Sequence, residues 1–434
     1  MKRIGLKRLS FFLILCTVLL ISSCQSDKQK KVDETEKATY RDSFTEEEKA
    51  NGTAKFDLME NVTVDAQITP AEKYKDGLKK YYMKHYIEAT GLKRKNFADT
   101  PVLYGRKLSK IMEMISKQIG GEFTVKKPKA DKSELSVGSV FHGNNNLSYK
   151  FFAYWTAGDA IFEKSQQLYA PTMYIHLQPG MNDALDQHVD TDILRYVKNY
   201  RDVEVPFIKD MEGTGRKLKN YLEKMLGRKL SDTWDCIPVM KESIDMVNNA
   251  FKDANISESV KIKHGDEYCT YRYYYDVKGF PFANLHLNYQ VKEGENASAM
   301  SKMSTNSSNL LSGLSENSIE CRISKDGIID LETDNIRMEG DVYKRAEQVR
   351  TPDTILQKVK KYYEKQILTK QITITEINIV YTGYFTDGSE GEIQPTVAPF
   401  WRVRVYNNDE DGSKYFVYDA FTGEAIAEGV TAVE

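Results

Sequence analysis

Twice in the second half of this 434-residue chain, a proline opens a helix-length apolar stripe and strand-like segments follow it. In the first unit Pro238 precedes Met240, Ile244, Val247 and Phe251, spaced along one helix face. Proline suits a first helical turn because no N–H donor is needed there. Strands are expected at 260–263, 268–275 and 285–291. In the second unit Pro352 precedes Ile355, Leu356, Val359, Tyr362 and Tyr363, with strands expected at 372–384, 400–406 and 415–418. Helix followed by antiparallel strands restricts the fold to the α+β class, with helices packed on a sheet. The two units repeat an element order without repeating residues.

The first half reads as a separate α+β region. Val62, Val64, Ala66 and Ile68 alternate with polar residues as a strand does, and Thr69-Pro70 stops them. A helical or mixed segment is expected over 71–89, where Tyr74, Leu78, Tyr81, Tyr82 and Tyr86 have rough helical spacing. A second helix is expected over 103–119, with Leu108, Ile111, Met112 and Ile115 on one stripe and Gly120-Gly121 after it. Strands are expected at 149–155 and 168–177. The expected organisation is an N-terminal domain over 56–205, a first helix-plus-sheet unit over 206–293 and a C-terminal unit over 319–434. Between the last two, 294–318 holds eight serines and reads as a flexible loop.

The N-terminus speaks to location. Lys2, Arg3, Lys7 and Arg8 precede an apolar run from Phe11 to Ile21, and Ser22-Ser23-Cys24 closes it. That is the architecture of a secretory signal. The apolar run is short for a bilayer span, which leaves a transmembrane anchor as the alternative. The segment resembles the bacterial lipobox, in which small residues precede a cysteine that is acylated and becomes the new N-terminus. The resemblance implies that 1–23 is a lipoprotein signal peptide and that Cys24 carries lipid, palmitate included, at the extracytoplasmic face of the cell membrane. Residues 24–55 are polar and densely charged and are expected to form a disordered tether. Loss of the four signal cations would take the net charge from −2 to −6, with 57 Lys and Arg against 63 Asp and Glu. Such a protein has no general attraction for nucleic acid or anionic lipid. Attachment then rests on the acyl chains, and two or more hold durably.

The last 80 or so residues carry a second resemblance, in Val397-Ala398-Pro399-Phe400-Trp401-Arg402-Val403 and Tyr415-Phe416-Val417-Tyr418-Asp419-Ala420-Phe421-Thr422-Gly423-Glu424. These are similar to the end of PepSY-like and YycI-like extracytoplasmic domains, where a proline–tryptophan strand pairs with one ending in an Asp-x-x-Thr-Gly turn. The residues support that geometry independently. Trp401, Val403 and Val405 share one strand face, Asp419 and Thr422 can bond local backbone, and Gly423 can take positive φ. The arrangement also resembles uncharacterised lipoproteins of low-GC Gram-positive bacteria. In the YycI relatives the fold regulates a membrane sensor kinase without catalysis. Where those relatives carry a transmembrane helix, this chain carries the signal segment.

No catalytic motif accompanies these features. G-x-S-x-G, S-x-x-K and H-E-x-x-H are absent, and the six histidines are scattered. Asn407, Asp409, Asp411 and Gly412 imitate a calcium loop, but the twelfth position is Tyr418 where a bidentate Glu is needed, so a polar hairpin is expected. Gly213-Thr214-Gly215 lacks the rest of a phosphate loop and is expected to be a flexible helix entry. Cys236, Cys269 and Cys321 read as three buried thiols, with one bridge and one free thiol as the alternative. Tyr271, Tyr273 and Tyr275 share a strand face and are the candidate ligand-contact residues. A sheet face under a helix is the expected reading, and a stacking platform for a sugar or peptide is the alternative. The expectation is a non-catalytic, membrane-anchored lipoprotein that interacts with or regulates a cell-envelope partner, with no cofactor, no metal and no nucleic acid. The alternative is a ligand-binding lipoprotein for a wall fragment, peptide or sugar.

Overall fold

The computed structural model describes residues 40–82, 110–111, 113–115, 117, 129–132, 136–142, 148–156, 172–179, 189–226, 229–260, 267–283, 318–333, 346–387, 393–407 and 412–431. From Arg41 onward the chain forms one compact unit. Its framework, in chain order, begins with α1 (Glu46–Asn51), β1 (Thr53–Met59), β2 (Val62–Ile68), β3 (Tyr81–Tyr82), β4 (Lys129–Lys132), β5 (Ser136–His142), β6 (Ser148–Thr156) and β7 (Thr172–Pro179). It continues with α2 (Val189–Tyr196), α3 (Met211–Leu226), β8 (Leu230–Val239), α4 (Lys241–Asp253), β9 (Tyr268–Val277), β10 (Phe280–Phe282), β11 (Ser318–Ser324) and β12 (Gly327–Thr333). Then come α5 (Pro352–Tyr363), β13 (Ile372–Asp387), β14 (Ile393–Asn407), β15 (Lys414–Asp419) and β16 (Ala425–Thr431). The fold is α+β.

All sixteen strands among the described residues belong to one sheet, whose main path runs β16-β15-β14-β13-β10-β9-β11-β12-β7-β6-β5-β4. Most neighbours are antiparallel, but β2 and β10 each pair with β13 in parallel. The two long strands β13 and β14 form its spine, paired from Ile372↔Asn407 to Asp387↔Ile393. A bulge between Ile374 and Glu376 shifts the alternation of β13 by one residue, so Ile374 and Ile377 are both fully buried.

The expected limits at 205 and 293 do not separate bodies. β2 and β3, from the first region, pair with β13 and β14 from the last, and β7 pairs with β12. Each region closes strand edges that another would leave open, and an open edge is a liability. The end of the expected tether is likewise folded from Arg41. Thr45 and Glu48 form a reciprocal cap on α1, and Phe44 is 4% exposed. The Ser-rich stretch lies outside the described residues up to Ser318, which opens β11.

The helices α3 and α5 pack on one sheet face. Leu218, Leu222 and Met225 of α3, with Ile355, Leu356 and Val359 of α5, share a continuous core with Tyr271, Tyr273, Cys321, Ile379, Trp401, Val403 and Phe416. On the opposite face Ile193 and Tyr196 of α2 and Ile244, Val247 and Phe251 of α4 pack on Ile237, Val239 and Tyr268. As expected, Pro352 opens α5, after a Thr351 side chain that accepts from Thr354 N–H.

Pro238 does not open a helix. It is the penultimate residue of β8, opposite Cys269, on a strand paired with β9 alone among the described strands, where a missing N–H is tolerated. Over 71–82 the mixed form of the expectation is found rather than a continuous helix, with a 3-10 turn at Ala71–Lys73 and then β3, and 83–89 lie outside the described residues. Gly77, at φ 80°, sits where a Cβ would lie 2.7 Å from the Glu347 carbonyl oxygen, and Leu78 bridges Glu347. The helix expected over 103–119 is present at 110, 111, 113–115 and 117, with Ile111 and Ile115 buried.

Candidate functional site

The tyrosine row is the first candidate to place. Tyr271 and Tyr273 are fully buried and Tyr275 is 3% exposed. The Tyr271 hydroxyl donates to the Met211 carbonyl at 3.0 Å and that of Tyr273 to the Gly215 carbonyl at 2.8 Å. The rings of these two stack 6.4 Å apart beneath α3. The stacking-platform alternative is therefore corrected, because the hydroxyls tie the helix to the sheet and no ring face is open to a ligand.

Gly213-Thr214-Gly215 belongs to the same contact. Rather than a flexible entry, it lies inside α3, whose start is capped by Asp210 Oδ1 accepting from Gly213 N–H at 2.8 Å. A Cβ on Gly215 would sit 2.8 Å from Trp234 Nε1 and 3.0 Å from Tyr271 Cε1, so only glycine lets the helix approach this closely.

The acidic segment after β14 is a hairpin connection, since Val405 pairs with Lys414. Gly412 takes φ 68°, and Ser413 N–H donates to the Arg195 carbonyl at 2.9 Å. Asp409 and Asp411 lie outside the described residues, as do Cys24, His85, His188, His264 and His286. His142 and His176 lie on β5 and β7. Among the described residues no three His, Cys, Asp or Glu converge to hold a metal ion, and no helix is long and apolar enough to cross a membrane.

A cleft of about 680 Å³ opens elsewhere, on the sheet face carrying α2. One wall is the β1–β2 hairpin, through Thr53, Lys55, Asp65 and Gln67; the other is the 198–202 segment that follows α2. Its floor is the β13 bulge residue Thr375 with Arg404 of β14. The hairpin wall follows from strand alternation. Val62, Val64, Ala66 and Ile68 face the core, which turns Asp65 and Gln67 outward beside Lys55 and Thr53. Lys55 and Asp65 pair at 3.2 Å in an exposed position, a contact worth only a few tenths of a kcal/mol.

The second wall is held by charge. Asp235 of β8 accepts at Oδ1 from the Tyr200 hydroxyl at 3.0 Å and Arg201 Nη2 at 2.7 Å, and at Oδ2 from the Tyr274 hydroxyl at 2.7 Å. Arg201 Nη2 also donates to Glu376 Oε1 at 3.2 Å, and Glu376 Oε2 lies 3.7 Å from Arg402 Nη2. Burial alone would raise the Asp235 carboxyl. The adjacent Arg201 and the Tyr274 and Arg201 hydrogen bonds outweigh it and hold the group below the ordinary carboxylate range. Burial, with Asp235 beside them, pushes the Tyr200 and Tyr274 hydroxyls well up, so both stay donors. Arg201 is thus fixed on its inner side and 36% exposed.

Arg404 is 3% exposed. Its Nη2 donates to the Leu194 carbonyl and to Ser413 Oγ at 3.1 Å, and its guanidinium lies 5.6 Å from the Tyr200 ring centre. Its Nε has no hydrogen-bond partner among the described residues. The lining therefore presents Lys55, Lys198, Arg201 and Arg404 with Glu48, Asp65 and Asp202, and no histidine or cysteine. Pre-placed donors and acceptors of both signs suit recognition of a hydrophilic group, and the volume falls in the range of small-ligand sites.

A second ion network lies deeper, on the same face. Arg322 donates to Asp190 Oδ2 at 3.1 Å, Asp330 Oδ2 at 2.8 Å and Glu320 Oε2 at 2.8 Å, and Arg272 donates to Glu320 Oε1 at 2.6 Å. Asp190 is 1% exposed, and burial raises its carboxyl above the ordinary value despite Arg322.

No protein-family model matches the chain, and no curated protein matches it. Among solved structures, an uncharacterized protein from Eubacterium rectale ATCC 33656 is similar, with a TM-score of 0.51 and 14% identity over 87% of this chain and 94% of that one. The likeness is one of fold alone.

Proposed function

We propose that this chain is a non-catalytic, lipid-anchored extracytoplasmic protein that interacts with a cell-envelope partner through its hydrophilic cleft. The observation that carries the reading is the cleft itself. Its second wall is immobilised by Asp235 and Glu376, and it offers charged and amide groups outward. A rigid polar surface loses little freedom on binding, which is the condition for a specific interface. The Cys24 lipobox supplies the location. Sixteen residues lie between Cys24 and Arg41, where the folded unit begins, so an acylated Cys24 would keep the body within about 60 Å of the lipid.

Anchoring and interaction are tested separately. Cys24→Ala is expected to move the protein out of the membrane fraction, and unchanged fractionation contradicts the lipobox. Cross-linking in intact cells is expected to recover a reproducible envelope protein, lost with Lys198→Glu. Recovery of nonspecific neighbours alone contradicts the interaction. The volume of the cleft favours a second reading, a binding protein for a wall fragment, peptide or sugar. In that case purified protein is stabilised against heating by wall fragments.

A further inference from the structure

Three thiols surround Tyr271 on the sheet face beneath α3. Cys236 of β8 and Cys321 of β11 both lie directly opposite Tyr271, on its two sides. Cys269 lies two residues before Tyr271 on the same strand, so all three side chains project from one face. Register alone makes Cys269 a diagonal neighbour of both other cysteines. The structure distinguishes them. Cys236 Sγ and Cys269 Sγ are 3.0 Å apart, about an ångström beyond the covalent S–S length of about 2.05 Å. All three cysteines are free thiols, with Cys269 and Cys321 buried and Cys236 part-exposed.

We propose that Cys236 and Cys269 are a reversible dithiol–disulfide pair, oxidised by exchange with a small-molecule disulfide, while Cys321 remains a thiol. The inference stands independently of the proposed function. Cys236 is the entry point because it is the part-exposed member. Its thiolate attacks the oxidant R–S–S–R, forms a Cys236–S–S–R mixed disulfide and expels one RS⁻. Cys269 then gives its proton to solvent, attacks the Cys236 sulfur and expels the second RS⁻. Two protein thiols lose two protons and two electrons, and the oxidant becomes two thiols. The second step is the slow one, since burial, with Cys236 beside it, raises the Cys269 thiol well above its ordinary range.

Closing the pair has a structural consequence. β8 joins the sheet through β9 alone among the described strands. The segment joining Cys236 to Cys269, 33 positions apart, carries α4, which packs on the opposite face with α2. A bridge would staple this edge strand and its helix to the sheet. Diagonal strand neighbours stand about 7–8 Å apart, at or beyond the reach of about 7 Å for an unstrained bridge. Closing the 3.0 Å sulfur gap therefore draws the strands together, and the bond is expected to be readily reduced rather than permanent.

The test uses the full chain, reduced, exposed to oxidised glutathione, quenched in acid, alkylated under denaturing conditions and mapped by peptide mass spectrometry. The expected result is a cross-linked peptide joining Cys236 to Cys269, lighter by two hydrogen atoms, with Cys321 alkylated and the bridge reversed by dithiothreitol. Cys269→Ser is expected to stop at a stable glutathione adduct on Cys236. Full alkylation of all three cysteines after oxidation overturns the proposal. So does a bridge containing Cys321, or a wild-type glutathione adduct on Cys236 that never resolves.

Discussion

Replacing Asp235 by Asn keeps the size of the side chain and removes the charge that organises the second wall of the cleft. Three donors converge on this carboxylate, from Tyr200, Arg201 and Tyr274. An amide oxygen can still accept, but the NH₂ group would face a hydroxyl or guanidinium it cannot satisfy. Breaking a fully buried ion pair costs about 3–5 kcal/mol. The Asp235 and Arg201 side chains are 14% and 36% exposed, and Arg201 keeps Glu376, so about 2–3 kcal/mol is expected.

The pH dependence has a definite sign. The folded carboxyl lies below its ordinary value of 3.8, so the unfolded chain takes up a proton first on acidification. The stabilisation is fully present above pH ~5 and is lost as pH falls below about 4 toward the folded value. Urea titrations of wild type and Asp235→Asn between pH 7 and pH 2 should show a gap that is widest at neutral pH and narrows steadily below about pH 4. Equal stabilities at pH 7, or a gap that does not change with pH, would refute the assignment.

Two other substitutions probe the opposite face. Gly215→Ala ordinarily gains up to about 1 kcal/mol of helix propensity, but its Cβ would meet Trp234 at 2.8 Å. Overpacking of this kind costs about 1–3 kcal/mol, so thermal unfolding should show a loss of up to about 2 kcal/mol, and a more stable variant contradicts the contact. Trp401→Phe removes a fully buried indole whose Nε1 donates to the Arg350 carbonyl at 2.9 Å. It should cost about 2–4 kcal/mol in denaturant, and a neutral result would mean that this joint between β14 and the segment leading into α5 is loose.

The sheet was most legible where alternation is clean. Val62 to Ile68 forms β2 at the expected limits, and the Asp419 turn forms as its residues suggest. Asp419 Oδ1 accepts from Phe421 and Thr422 N–H at 2.9 Å each, and Gly423 takes φ 73°. Pro238 misled because proline marks a helix start and a strand edge equally well, and only pairing decides between them. The interleaving of the three regions was hidden for the same reason, since β2 and β13 are separated by some 300 residues. The cleft left a fainter trace. Arg402 and Arg404 alternate with Trp401, Val403 and Val405, and Glu376 interrupts a run of isoleucines. Charges on the second face of apolar strands signal a covered polar surface, but its other wall comes from 198–202, which carries no strand or motif signal.

Site-specific photo-cross-linking from the cleft tests the central claim most directly. A photoreactive residue at position 199, exposed and lining the cleft, is compared in intact cells with one at position 424, exposed in the turn before β16. The account predicts a reproducible envelope species attached at 199 and absent at 424. The same background at both positions would contradict it.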